Sequence, residues 1–235
     1  MRWLFVLFCL FWTTHAQAQK ETVNIETLIK QFNSVVFIHE HGKTGREPKP
    51  LVKWQGPIVF AVTNSGSKEN LRQLAGVLTK IRKLTKLDIR QVRKGGQVNL
   101  HISFHPQAEL EKQLKPGINC QGTMKGNAKT YAITFGKAMI PSDRPDKTMH
   151  CIVEETVQLF GLTNDSTIIE NSIFNENSKR TSLSVSDQIL LKALYDPRLK
   201  AGMKMKEAQP VLRTVMEDIF KKIARNQEKR RQKDQ

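Results

Sequence analysis

Past its first eighteen residues the sequence holds only two cysteines, Cys120 and Cys151, and no apolar run long enough to cross a bilayer. A bilayer-spanning helix needs about 20 such residues, so nothing after the leader reads as an anchor. Aromatic residues make up only 7% of the chain, and no basic stripe is interleaved with them. The stacking platforms and cationic tracks of specific nucleic-acid binding are therefore missing. There is no internal repeat, which excludes solenoids and propellers.

What is present begins with a leader. "MRWLFVLFCLFWTTHAQAQK" carries an early Arg2, an apolar run from Trp3 to Trp12 and a small-residue "AQA" ending at Ala18. This is the anatomy of a secretory signal peptide cleaved after Ala18, with Cys9 inside the discarded segment. An exported chain meets an oxidising compartment, so one intramolecular disulfide between Cys120 and Cys151 is the simple expectation. A pair of free thiols, or a thiolate metal ligand at Cys151, is the alternative. Loss of Arg2 from the 38 basic residues, against 22 acidic ones, takes the formal net charge from +16 to +15. Such a balance favours anionic surfaces or acidic partners.

Along the mature chain, "IETLIKQFNSVVFI" mixes helical spacing with a β-branched end, and "HEHGKTGREPKP" reads as a charged loop. "GPIVFAVTN" reads as a strand bounded by turn residues. From Ser67, an N-cap, Leu71, Leu74, Leu78, Ile81 and Leu84 mark an amphipathic helix. "LDIRQV" and "QVNLHISF" predict two strands, the second placing Leu100, Ile102 and Phe104 on one face and His101, Ser103 and His105 on the other. Residues 107–130 read as loop, "TYAITFGKAMI" as a strand, and Pro141 to Pro145 as the entry to a helix. The spacing Ser184-x-x-Asp187 resembles a capping box. A last helix from about Pro210 carries Leu212, Val215, Met216, Ile219, Phe220 and Ile223 on one side, then runs out into "RNQEKRRQKDQ", read as a solvated, disordered basic tail. The order of elements predicts an α+β or mixed α/β domain.

The most informative stretch is "HCIVEETVQLFGLTND", His150 to Asp165. At about 100° per residue, Glu154, Gln158 and Glu155 fall within one narrow arc, opposite Met149, Ile152, Val153, Thr156 and Phe160. Gly161 is placed to end the helix in a left-handed turn that sends "LTND" back across the polar stripe.

"EETVQLFGLTND" resembles the extended zinc-binding signature of the metzincin metalloproteases. Residue by residue, the resemblance sets Glu154 and Gln158 at the first two zinc-histidine positions, Glu155 at the general base, Gly161 at the turn glycine and Asn164 at the third histidine. "NSIFNE" resembles the Met-turn, with Phe174 at the methionine position, and "LSVSDQILLKALY" resembles the closing helix of the matrixin branch. The chain is more similar overall, through "CIVEETVQLFGLTNDS", "SIFNE" and "LLKALYDPRLKAGM", to the exported proteobacterial family of domain of unknown function 2927. The resemblances imply an α+β, metzincin-like domain with a mixed twisted sheet, a central active-site-like helix and C-terminal helices. They divide the chain into a leader (1–18), an N-terminal helix or strand with a loop (19–50), the degenerate metzincin-like domain (51–205), and an amphipathic helix with its basic tail (206–235). They imply a Gram-negative periplasm or outer envelope.

All three zinc histidines are replaced. Zinc prefers imidazole, thiolate and carboxylate, whereas Gln158 and Asn164 are weak neutral donors and only Asp165 adds a second charge to Glu154. An oxygen-only set suits Ca²⁺, Mg²⁺ or Mn²⁺ better. Without a metal, Glu155 faces water of pKa ~15.7 rather than ~7, a gap on the order of 12 kcal/mol. No cofactor is therefore expected, although a divalent metal stays open. Histidines would rescue a site if the fold brought in His101, His105 or His150; their bland reading is as polar-face or helix-start residues, with His39 and His41 weaker still. The stripe either fastens the fold by bonding the returning turn and "NSIFNE", or leaves a cleft that takes an extended peptide along the strand of His101, Ser103 and His105 by strand addition. The functional expectation is a binding or interaction module for an unknown peptide or envelope protein, with an anionic surface as a second partner of the basic tail. A hydrolase using Glu155 with a non-standard metal set is the alternative.

Overall fold

Strong alternation in the central strands sets one layer of the fold. The computed structural model describes residues 24–38, 48–64 and 66–233; the leader with its cleavage site, and His39 and His41, lie outside these. Four strands run parallel in the order β1 (Lys53–Trp54), β6 (Ala132–Pro141), β4 (Leu100–His105) and β2 (Ile58–Thr63), followed by β3 (Ile89–Gln91), also parallel. β5 (Gln121–Gly126) pairs antiparallel with β6. The register places Phe60 beside Leu100 and Ile102 beside Ala138, so one face of the sheet is apolar throughout.

That face is covered by two helices. α2 (Lys68–Thr85) starts at the expected cap, where the Ser67 side chain accepts from the Asn70 amide. It buries Leu74, Leu78 and Ile81, while Leu71 on the same expected stripe is exposed. α4 (Pro145–Gln158) lies beside α2 and across β5 and β6. A further layer holds α1 (Ile25–Phe37), α5 (Val185–Leu194) and α6 (Met205–Lys233), packed on one another. α1 contributes Leu28, Phe32, Val35 and Phe37 to one continuous core that also contains Leu212, Val215 and Met216 of α6. Burial of this kind stabilises by about 25 cal/mol per Å² of apolar surface. It explains why the β-branched end of α1 stays helical: packing overrides local propensity.

Three expectations are corrected. Residues 107–130 are not a loop throughout, since they form α3 (Gln107–Gln113) and β5. β5 has glycine at two of its six positions, so it carries little β propensity and is made by pairing with β6. The last helix begins at Met205, ahead of Pro210, and continues to Lys233. The basic segment beyond Ala224 is thus solvated as expected but helical. Among the described residues no helix is long and apolar enough to cross a membrane.

Candidate functional site

α4 is held at both ends before any chemistry is considered. Pro145 opens it with a preset φ, and the Thr148 hydroxyl donates to the carbonyls of Pro141 and Arg144 at 2.8 and 2.7 Å. Its far end stops at Gly161, whose φ is +100° and where a Cβ would stand 2.5 Å from the Val52 carbonyl oxygen. Only glycine meets both conditions. The last carbonyls are taken by side chains: Trp54 Nε1 donates to Leu159 at 2.9 Å and the Tyr195 hydroxyl to Phe160 at 3.0 Å. Ile152, Val153, Thr156 and Phe160 are buried as the helical arc predicts.

The polar arc divides. Glu155 is buried, and the backbone of β5 lies over it; a Cβ added to Gly122 would come within 2.9 Å of its Oε2. Its pKa is pushed up to about 8, first by burial and then by the neighbouring charges of Glu154 and Asp165, with the Gly122 amide bond opposing. At neutral pH this carboxyl holds its proton. The disulfide Cys120–Cys151, with Cα atoms 6.0 Å apart, ties the start of β5 to α4 one turn before Glu155. Glu154 lies 3.0 Å from His150 Nε2. His150 Nδ1 is 2.8 Å from the Arg180 carbonyl; a carbonyl only accepts, so Nδ1 carries a proton. Burial lowers the His150 pKa, but the Glu154 hydrogen bond and charge outweigh it and the net shift is upward.

The returning turn does cross the stripe. Gln158 Nε2 donates to Asp165 at 3.0 Å. Asn164 turns away instead, its side-chain amide donating to Ser34 and its backbone amide to Val35, at the end of α1. Phe174 is fully buried. The segment around it is fixed by Asp187, which accepts from the Ser172 hydroxyl at 2.6 Å, the Ile173 amide at 3.0 Å and the Ser184 amide at 2.8 Å. Asp187 is therefore both the expected capping-box residue of α5 and the anchor of the "NSIFNE" turn. Gln31 completes this network, donating to Ser172 and accepting from Ser166.

Beside the stripe lies a cleft of about 290 Å³ lined by His150, Glu154, Glu155, Gln158, Asp165 and Glu176, among others. A wider one of about 640 Å³ shares Asp165 and Glu176 and runs along Ser34, Asn164 and Ile168. His101 and His105 belong to neither. Leu100 points toward Leu159 at the end of α4, so the alternating His101, Ser103 and His105 face the opposite side of the sheet. There His101 packs against Phe135, with ring centroids 5.4 Å apart, and His105 Nδ1 lies 3.6 Å from Glu109. β4 sits between β2 and β6 with both edges paired, so it has no edge for an added strand. The antiparallel edge strand is β5.

The zinc implied by the metzincin resemblance does not fit these donors. Among the described residues, one group of possible ligands converges, Cys120, Glu154 and Glu155, with one donor atom from each inside 4.8 Å. Cys120 is bonded to Cys151 and offers no thiolate, Gln158 and Asn164 are outside the converging group, and their amide oxygens are weak neutral donors to zinc. Two carboxylates remain, one of them protonated.

The model of the family "Protein of unknown function (DUF2927)" matches residues 26–214, from α1 to the middle of α6. The chain belongs to this family. The DUF2927 match covers every element that frames the cleft and stops short of the exposed end of α6. No curated protein matches the chain.

Two features of this DUF2927 domain escaped the sequence reading. Lys53 is largely buried, its ammonium donating to the carbonyls of Leu194, Asp196 and Leu199, and burial pushes its pKa down to about 8. It caps the end of α5, a role that no local pattern marks. Glu176, at the end of "NSIFNE", enters both clefts and was passed over because the Met-turn likeness directs attention to Phe174.

Proposed function

We propose that this protein is an exported, non-hydrolytic binding module on a metzincin-like scaffold, and that it holds an extended segment of a peptide or envelope protein along the outer edge of β5, beside the acidic cleft of α4. The observation that carries this reading is the burial of Glu155 at the floor of the cleft. A general base must accept a proton at working pH and reach its substrate; burial pushes the Glu155 pKa up to about 8, and Gly122 packs against its carboxyl. Hydrolysis through it is therefore disfavoured, while the acidic cleft beside it stays open to solvent.

Strand addition uses a free sheet edge. Among the described residues β5 pairs only with β6 and leaves one, and the residues leading into it, Gly117 to Cys120, line the cleft with Glu154, Asp165 and Glu176, which favour a ligand segment bearing a basic side chain. Export rests on the leader-like first eighteen residues and is supported by the disulfide. The exposed basic end of α6, with seven basic residues against one acidic residue from Lys221 to Lys233, suits an anionic surface near the same compartment.

The test is selection of peptide ligands by display on the oxidised mature protein, followed by calorimetric titration. Binding weakened about 10-fold or more by Glu154→Gln with Glu176→Gln supports the reading. Cleavage of the selected peptides, abolished by Glu155→Gln, would overturn it in favour of the hydrolase.

A further inference from the structure

The disulfide stands beside two carboxylates. Cys120 Sγ, a carboxylate oxygen of Glu154 and one of Glu155 all lie within 4.8 Å of one another. The Cys151 sulfur is one bond from that of Cys120. On α4, Cys151 precedes Glu154 by three residues and Glu155 by four, so all three side chains point to the same side of the helix. Tetrahedral zinc with sulfur at ~2.3 Å and oxygen at ~2.0 Å sets its ligand atoms roughly 3.5 Å apart. The carboxylate oxygens need to move by only about 1 Å to reach that spacing, and two sulfurs no longer bonded separate by themselves.

We propose that reduction of Cys120–Cys151 opens a divalent metal site with both thiolates, Glu154 and Glu155 as ligands, and that its resident ion is zinc. Two thiolates select zinc over the hard cations Mg²⁺ and Ca²⁺. Without an ion the Glu154 charge helps to keep Glu155 protonated; a divalent cation displaces that proton and attracts both carboxylates. Disulfide and metal exclude each other, because a sulfur in a disulfide is not a thiolate donor. The site differs from a metzincin centre, which would use positions 154, 158 and 164, and it goes beyond the binding reading without depending on it.

The exchange balances with a dithiol reductant. Its thiolate attacks Cys120 Sγ, the half-buried sulfur on the cleft side, and Cys151 leaves as a thiolate. The second thiol of the reductant then attacks its own sulfur in the mixed disulfide, releasing Cys120 and leaving the reductant as a disulfide. Two electrons pass to the protein, and the protons of the ligands go to solvent as the metal binds. Reoxidation by a disulfide oxidant reverses the exchange: the two electrons pass from the Cys120 and Cys151 thiolates to the oxidant, which leaves as a dithiol, and the ion is released.

The test uses the full mature chain, reduced and freed of reductant without air, and titrated with Co²⁺ and then Zn²⁺. The expected result is stoichiometric Co²⁺ with a thiolate-to-cobalt charge-transfer band, displaced by Zn²⁺. The oxidised chain should show none, and the Glu154→Gln, Glu155→Gln double variant should bind about 10-fold or more weakly. A folded reduced chain that takes up no cobalt, or a double variant with unchanged affinity, overturns the proposal. Where the reduced chain does not stay folded by itself, refolding in reductant with and without Zn²⁺ decides: recovery of the native circular dichroism only with zinc supports the site, and no recovery overturns it. Peptide binding is read on the oxidised protein, so the two readings fail separately.

Discussion

The backbone of Gly122 rests on the carboxyl of Glu155, leaving 2.9 Å between an added Cβ and Oε2. This contact makes the centre of the site part of the packing between sheet and helix. Gly122→Ala should cost about 1–3 kcal/mol, because the buried glutamate has little room to yield. Chemical denaturation of Gly122→Ala, Glu155→Ala and the double variant checks it; a coupling energy near zero would refute the contact.

Glu155 also sets a pH dependence. Its ordinary value is 4.5 and its folded value about 8, so between these pH values the folded chain keeps a proton that the unfolded chain releases. Stability then falls as pH rises through that window, by up to about 1.4 kcal/mol per pH unit. His150, raised above 6.5, adds loss in the same direction as pH passes its folded value. Urea unfolding at pH 5 and pH 8 should show a shallower slope in Glu155→Gln than in the parent, and equal slopes would assign the titration to other groups.

Asp187 is completely buried and accepts three hydrogen bonds. Asp187→Ala strands those donors and removes the α5 capping box, for an expected loss of about 3 kcal/mol or more. Hydrogen exchange should accelerate at Ile173 and Ser184. Retained protection there would mean that the apolar packing of Phe174 alone holds the turn.

The end of α6 makes the opposite prediction. Residues beyond Ala224 are exposed, so a chain ending at Ala224 should unfold within about 0.5 kcal/mol of the parent. The same truncation should lose retention on vesicles of anionic phospholipid. Unchanged retention would remove the basic helix from any surface role.

Much of this was legible because it is local. The Ser67 and Ser184 caps, the Gly161 turn and the alternation of β4 each depend on side chains within a few residues, and the structure reproduces them. Pairing Cys120 with Cys151 needed only the count of thiols. β5 was not legible, because Gly122 and Gly126 contribute no strand propensity and only β6 makes them a strand. The grouping of His101 and His105 with the glutamates failed for a related reason: alternation says that two faces exist, without saying which one α4 covers.

The sequence by itself determined the family and the helix carrying Glu154, Glu155 and Gln158, since each is a matter of residue identity and spacing. Tertiary structure decided that Glu155 is buried against Gly122, that Asn164 serves α1, that Lys53 caps α5 and that His101 and His105 lie across the sheet. Those outcomes come from burial and from contacts between residues far apart in the chain, where desolvation and packing, rather than local conformation, set the energy.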